Sequence, residues 1–254
     1  MSIQDKLIIL DIEAIRDTRV LNADWPEDKW PPPIGWQVIA IGMVIVNIHS
    51  DRDGEQFQIE KICCGGGDEH ELISRFWAYF DKYRPRIVTW NGRTFDLPVL
   101  QHRAFIQAVP MPVWFKSGKR WESYRQRYSD DWHCDLMDLM ACHGASKSAQ
   151  MGMMASAIGL PGKIGGHGSK VQGMYEAGEI KRIRAYCECD VLNLYGLYIR
   201  WCHVTGRITR SSHDNALDDL SDYLSEGAFQ KPHFGEFLNK WDRDTLNTGS
   251  SPYG

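Results

Sequence analysis

Apolar positions in this chain follow two periods, and the first stretch already mixes core with acid. Leu7 to Leu10 is a continuous apolar run, and Asp11-Ile12-Glu13-Ala14-Ile15 continues it, so the pattern predicts a buried strand over Leu7–Ile15. Side chains of a strand alternate faces. Asp11 and Glu13 therefore share one face while Ile12 turns back into the core. Gln37–Ile48 reads as a long strand bent at Gly42, Asp51–Gly54 as a turn whose Asp-Gly pair favours a hairpin, and Phe57–Cys63 as the returning strand. These three strands form an antiparallel meander. Between the first two lies Arg16–Gly35, with consecutive prolines at Pro31–Pro33 and tryptophans Trp25, Trp30 and Trp36 in or beside it. Prolines supply no ladder donors, so this segment is an excursion from the sheet, and its pattern assigns it no role.

After Gly65-Gly66-Gly67 the period lengthens. Leu72, Phe76, Tyr79 and Phe80 share one face of a helix predicted over Asp68–Tyr83, with Asp68 as its cap. Arg86–Trp90 is a short apolar strand, Asn91-Gly92 a turn, and Asp96–Ala108 a second helix. A helix leading into a strand implies parallel pairing with an earlier strand. Val113–Asp131 has no period. A fifth short strand is expected at Trp132–Cys134, leading into a helix from Asp135. Met151–Ile158 is helical, a glycine-rich segment follows, and a long helix is expected from Glu179 to about Val204, stopped by Gly206. Residues 211–225 form a polar amphipathic helix. The expected organisation is a main domain over 1–206, a helical extension packed on it over 207–241, and a frayed tail over 242–254.

The long helix carries the most informative acid. Its apolar stripe runs through Ile183, Tyr186, Cys187, Leu194, Leu197, Tyr198 and Trp201, and Asp190 falls inside that stripe. A buried carboxylate costs several kcal/mol unless it is paired or binds a metal, and no basic partner is evident on its own helix. Tyr186 lies one turn earlier on the same face. Asp96 can be a helix cap, but it follows the end of a strand expected beside the first one, where α/β sheets place their ligands. Asp11 and Glu13, two carboxylates at the end of a core strand, persist side by side when a divalent cation lies between them, and otherwise as solvated acids.

Bulk composition narrows the function without naming it. With 254 residues, 43% hydrophobic and 24% charged, the chain is an ordinary globular protein. Its net charge of −4 argues against a general affinity for polyanions, so any hold on nucleic acid must be local. The seven cysteines include no CxxC pair and are expected as free thiols in a reducing cytoplasm. A zinc site from His133, Cys134, Cys142 and His143 matches no common finger spacing. The N-terminus lacks a signal-peptide pattern, and Val38–Val46 is too short to span a membrane.

D-x-E on the first strand (Asp11, Glu13), N-x-x-x-F-D after the fourth (Asn91, Phe95, Asp96) and Y-x-x-x-D on a late helix (Tyr186, Asp190) resemble the three motifs of DEDD-type 3′-to-5′ exonucleases, the Tyr-bearing subclass. The second motif and AYCECDVLNLY look closest to stand-alone bacterial proteins related to the exonuclease domain of family B DNA polymerases. The resemblance covers roughly residues 5–205. It implies a ribonuclease-H-like α/β fold, a mixed five-stranded sheet flanked by helices, and phosphodiester hydrolysis with two divalent cations, Mg²⁺ or Mn²⁺. By the same resemblance Asp11 bridges both ions, Glu13 and Asp190 complete the site of the water-activating ion, Asp96 holds the second through waters, and Tyr186 orients the attacking water. Asn91 is similar to the residue that fixes the terminal nucleotides, and Phe95 to an aromatic that packs on a terminal base.

Two further stretches could grip substrate. Trp114–Tyr128 interleaves Arg120, Arg125 and other cations with aromatics, as single-strand grooves do, or is a solvated loop. Leu160–Lys170 offers backbone amides with Lys163 and Lys170 but not the P-loop order, so it is a phosphate cradle or a plain connector. Asp135 and Asp138 are a second acidic pair, Asp135 reading as a cap. The expected activity is a metal-dependent exonuclease on single-stranded 3′ ends, DNA more than RNA, with no membrane partner and an oligomeric state the sequence does not give. The alternatives are an exoribonuclease of the same fold, a nucleic-acid-binding module that has lost its chemistry, and a two-metal phosphatase acting on small nucleotides.

Overall fold

In the computed structural model, residues 4–22, 24–52, 54–164, 170–243 and 245 are described. Five strands form one mixed sheet: β1 (Lys6–Arg16), β2 (Trp36–Asp51), β3 (Gly54–Gly66), β4 (Arg86–Thr89) and β5 (His133–Asp135), in the order β3-β2-β1-β4-β5. β1–β2 and β2–β3 are antiparallel, while β4 runs parallel to both β1 and β5. The meander and the crossover are as the pattern predicts. β2 and β3 run longer than the pattern allowed, because Gly65 and Gly66 continue the β3 ladder instead of ending it.

Helices cover both faces: α1 (Glu69–Tyr83), α2 (Asp96–Ile106), α3 (Pro112–Lys116), α4 (Leu136–Met140), α5 (Met151–Ala157), α6 (Val171–Glu176), α7 (Ile180–Val204), α8 (Arg210–Gly227) and α9 (Pro232–Lys240). Asp68 caps α1 by accepting from the Glu71 amide, as expected. The short helices α3, α6 and α9 lie where the sequence showed no separate period. No described helix is long and apolar enough to cross a membrane.

Strand parity divides β1 between two cores. Ile8, Leu10 and Ile12 pack with α1 and α2 residues such as Phe76, Trp77 and Leu100. Leu7 and Ile9 face the other side, with Val191, Leu194, Tyr198 and residues of α8 and α9. Asp11 and Glu13 share the parity of Leu7 and Ile9, so they are carried toward α7. α8 closes the open edge of β3: Asp219 accepts from the Ile59 amide at 2.6 Å, and the Tyr223 hydroxyl from the Ile62 amide at 3.1 Å. Those amides would otherwise be edge donors open to another chain.

A buried ion network ties α2 and α1 to the end of β1. Arg103 is 1% exposed and donates to Asp17 at 2.7 Å and to Glu69, whose carboxylate also accepts from the Val38 amide. Burial alone would raise Asp17, yet hydrogen bonds from Arg19 and Arg103 hold its carboxyl down at about 2. Removing one member of a buried pair strands the others, at about 3–5 kcal/mol. Arg103→Leu is therefore expected to lower the unfolding free energy by about that amount in urea titrations. A loss under about 1 kcal/mol would show that the network is not holding the fold.

Candidate active site

The acids singled out in the sequence come from three elements and line one cleft. Asp11, Glu13, Asp96, Tyr186 and Asp190 all border a cavity of about 920 Å³, together with Asn91, Phe95 and Lys163. Asp11 pairs with Gly42 and Glu13 with Ala40 across to β2, and the register shifts directly after Glu13, a bulge at the strand's functional end. Gly42 is required there. A Cβ on it would stand 2.7 Å from Cys187 Sγ and 3.1 Å from the Cys187 carbonyl, so its absence lets α7 lie against the sheet beside Asp11.

Asp96 is the first residue of α2, and Phe95 holds the N-cap position without a side-chain bond. The Asp96 carboxylate accepts instead from the Ile12 amide of β1 at 3.0 Å, which fastens α2 to the strand between Asp11 and Glu13. The turn before it is tied by Asp135, which accepts from the amides of Asn91 and Arg93, both at 2.9 Å. Asn91 has φ 66°, and a Cβ on Gly92 would fall 2.4 Å from Thr89, so the turn needs both residues as they are. Asp135 also caps α4, and Asp138 pairs with Arg127 and His143; neither borders the cleft.

The electrostatics are those of acids crowded without enough counter-charge. Asp96 and Asp190 are 4% and 6% exposed. Burial is the main cause that lifts Asp96 to about 7 and Asp190 to about 6, the latter against relief from the Tyr186 hydroxyl and Lys163. Asp11 and Glu13 are raised well above ordinary carboxyls, first by lost hydration, then at Asp11 by Asp96, Glu13 and Asp190, and at Glu13 chiefly by Asp190, which Lys163 opposes. Burial and the neighbouring carboxylates also raise the Tyr186 phenol, which stays protonated across the neutral range. Asp190 Oδ1 is buried with no hydrogen-bond partner.

A donor set with these properties fits a hard divalent cation. Oxygens of Asp11 and Glu13 and the Cys187 sulfur lie within 4.8 Å of one another, and an orphaned buried carboxylate oxygen stands on the adjoining turn of α7. Sequence reasoning gave Cys187 no place in this site. Its thiol donates to the Asp11 carbonyl and to Asp11 Oδ2, each at 3.6 Å, and so steadies that carboxylate. The available signal was its position beside Tyr186 and three residues before Asp190. Trp90, just past the end of β4, is half-buried and borders the cleft.

Other expected substrate contacts are dispersed. Lys170 is exposed ahead of α6 and does not border the cleft, while residues 165–169 of the glycine-rich segment lie outside the described residues. Arg120 and Arg125 line a separate basic pocket of about 300 Å³ with Lys116 and Lys119. Lys116 and Gly118 also border a cavity with Gln4, Arg84 and Trp132, residues that precede β1, β4 and β5. This basic stretch therefore stands at the opposite end of the parallel strands from Asn91 and Asp96. Charge and aromatic content suggested a groove, but which end of a sheet a loop covers is decided by tertiary packing.

The family described as "Predicted 3'-5' exonuclease related to the exonuclease domain of PolB" matches residues 31–241. That span includes Asn91, Phe95, Asp96, Tyr186 and Asp190 and begins after Asp11 and Glu13, which the fold brings to the same cleft. No curated protein matches the chain. Among solved structures, the family B DNA polymerase from the hyperthermophilic archaeon Pyrobaculum calidifontis is similar over 89% of this chain and 29% of its own, at 16% identity and a TM-score of 0.52. E. coli exonuclease I in complex with a dA16 oligonucleotide is similar over 76% of this chain and 44% of its own, at 12% identity and a TM-score of 0.38. The chain thus spans less than half the length of either.

Proposed function

Because the chain belongs to the predicted 3′-5′ exonucleases related to the exonuclease domain of PolB, we propose that it shortens single-stranded nucleic acid from the 3′ end in a metal-dependent reaction, with DNA as the favoured polymer. The observation that carries this reading is the convergence of Asp11, Glu13, Asp96 and Asp190 on one cleft, with Asp190 Oδ1 buried and unpartnered. Two divalent cations, Mg²⁺ or Mn²⁺, would suit the carboxylate oxygens of this set; Asp11 would serve both, Glu13 and Asp190 would hold the water-activating ion, and Asp96 the second. When bound, such ions acidify a water and shield charge on the departing oxygen. The favoured polymer follows from the family's relation to a DNA polymerase domain. Free cysteines suit the reducing cytoplasm we assign it.

The protein's own groups set the rest. Tyr186 keeps its proton at neutral pH, so its hydroxyl orients a water by hydrogen bonding and does not act as the base. Asn91 Oδ1 accepts from Thr94 at 2.6 Å, which leaves its NH₂ to donate to the terminal nucleotide. Lys163 borders the cleft as a cation that can meet a phosphate. Phe95, half-buried beside Trp36, offers an apolar wall to the last base.

Single-stranded DNA and RNA labelled at the 5′ end, incubated with Mg²⁺, with Mn²⁺ or with a chelator, test the proposal. Metal-dependent ladders shortening from the 3′ end are expected, faster on DNA. Ladders on RNA alone would move the assignment to an exoribonuclease. Binding without shortening would point to the silent module, and turnover of mononucleotides alone to the phosphatase.

A further inference from the structure

Residues 24–35, in the segment between β1 and β2 to which the sequence pattern gave no role, form a rigid aromatic rim on the cleft. Arg16, the last residue of β1, donates to the carbonyls of Pro26, Glu27 and Lys29. Trp25 Nε1 donates to the Lys29 carbonyl at 3.1 Å and Trp36 Nε1 to the Pro31 carbonyl at 3.2 Å. Three prolines then fix the backbone directly after Trp30. The Trp30 ring is held in this frame, its centroid 4.5 Å from Trp36 and 5.8 Å from Phe95, with Trp36 and Phe95 5.6 Å apart. Trp36 is buried, whereas Trp30 is 68% exposed and borders the same cleft as the acids.

An exposed indole on a stiff support, at the mouth of a polar cleft, favours a flat apolar ligand, and little conformational freedom is lost when one lands on it. The charges beside it narrow the chemistry. Glu27 and Asp28 border the cleft on the Trp30 loop and repel phosphate, while Lys163 belongs to a different segment. A ligand with an anionic backbone on one side and neutral π-faces on the other satisfies both. An unpaired nucleobase has that form, and a base inside a duplex does not offer its faces. We propose that Trp30, backed by Trp36 and Phe95, is the stacking platform for an unpaired base of the polymer whose 3′ end enters the carboxylate cleft. This rests on the exonuclease reading and adds the residue that makes the enzyme select single strands.

The test compares the full chain with Trp30→Ala and Trp30→Phe on two DNA strands, one with ordinary bases and one with abasic sugars at its 3′ end. Fluorescence anisotropy in chelator reads binding without cleavage, and kcat and KM are read with Mn²⁺. Trp30→Ala should weaken binding and raise KM by about 5- to 150-fold on the ordinary strand, the range one stacked base provides. On the abasic strand the same variant should match the wild type, kcat should hold, and Trp30→Phe should recover most of the loss. Equal behaviour of Trp30→Ala and wild type on the ordinary strand would overturn the platform, and so would an equal loss on both strands. A wild type that cleaves neither polymer would sink the exonuclease reading alone, since the base-dependent binding comparison still decides the platform.

Discussion

Asp190→Asn is expected to lower kcat/KM on single-stranded DNA by about 10³-fold or more, while the melting temperature in chelator rises. The first effect follows from the several kcal/mol that a metal-held carboxylate contributes to a charged transition state, at about 1.4 kcal/mol per tenfold in rate. The second follows from burial. Asp190 is 6% exposed in the apolar stripe of α7, its Oδ1 has no partner, and its carboxyl is pushed up to about 6 chiefly by burial. An amide of the same shape removes the charge the fold resists. Arg103→Leu should do the opposite, losing stability, because Asp17 and Glu69 would keep their charges without the guanidinium. Whether its surroundings push a carboxyl up or down therefore sets Asp17 apart from Asp96 and Asp190. Asp17, held at about 2, is paired with Arg103, while Asp96, pushed up to about 7, and Asp190, to about 6, are the acids the proposal assigns to a ligand. Activity within tenfold of wild type, or a lowered melting temperature, would remove Asp190 from the site. Rates on a labelled oligonucleotide and thermal melts on the same preparation decide it.

Much of this was legible in the chain because periodicity fixes which face a side chain takes. The alternation at Leu7–Ile15 put Asp11 and Glu13 on one side of β1, and the stripe from Ile183 to Trp201 put Tyr186 and Asp190 on one side of α7; the fold joins those sides. Asp96 was ambiguous because a cap and a ligand occupy the same place at a helix start. In the structure Phe95 holds the N-cap position, and Asp96 accepts from a partner 84 residues distant, the Ile12 amide. What periodicity does not encode is where aperiodic chain comes to rest. The Arg120–Arg125 stretch lies at the far end of the sheet, and the Trp30 loop lies on the cleft, yet both look alike in sequence as aromatic, charged and irregular. Cys187 escaped notice for a related reason: as one more apolar position of the α7 stripe it carried no sign of touching Asp11. Gly65 and Gly66 misled in the other direction. They read as a break, whereas each sits where a Cβ would press on a neighbour, Leu72 for one and Arg184 for the other, so glycine there serves packing within the strand.

In chelator the chain should lose stability as pH rises from about 4 to 7, and divalent metal should restore it most at the upper end. In the folded state Asp190 titrates at about 6 and Asp96 at about 7, with Asp11 and Glu13 raised as well. Unfolded, the same carboxyls titrate at about 4. Between those values the native chain binds more protons than the unfolded one. The unfolding free energy therefore falls with rising pH, by about 1.4 kcal/mol per pH unit for each carboxyl that only the folded chain keeps protonated. Asp17 works the other way: its depressed pKa adds stability above about pH 4 that is lost as pH falls toward 2. The two trends cross at about pH 4, where these groups place the metal-free optimum. Mg²⁺ or Mn²⁺ competes with protons for the carboxylates, so its gain in melting temperature should be small at about pH 5 and grow steadily to about pH 8. Asp190→Asn should flatten both slopes, since it removes one proton site and one ligand together. A melting temperature in chelator that holds or climbs across this range would mean that these acids are already neutralised by the protein itself. A metal-induced gain that ignores pH would place the bound ion elsewhere, because a site built from protonated carboxyls must release protons to take a cation.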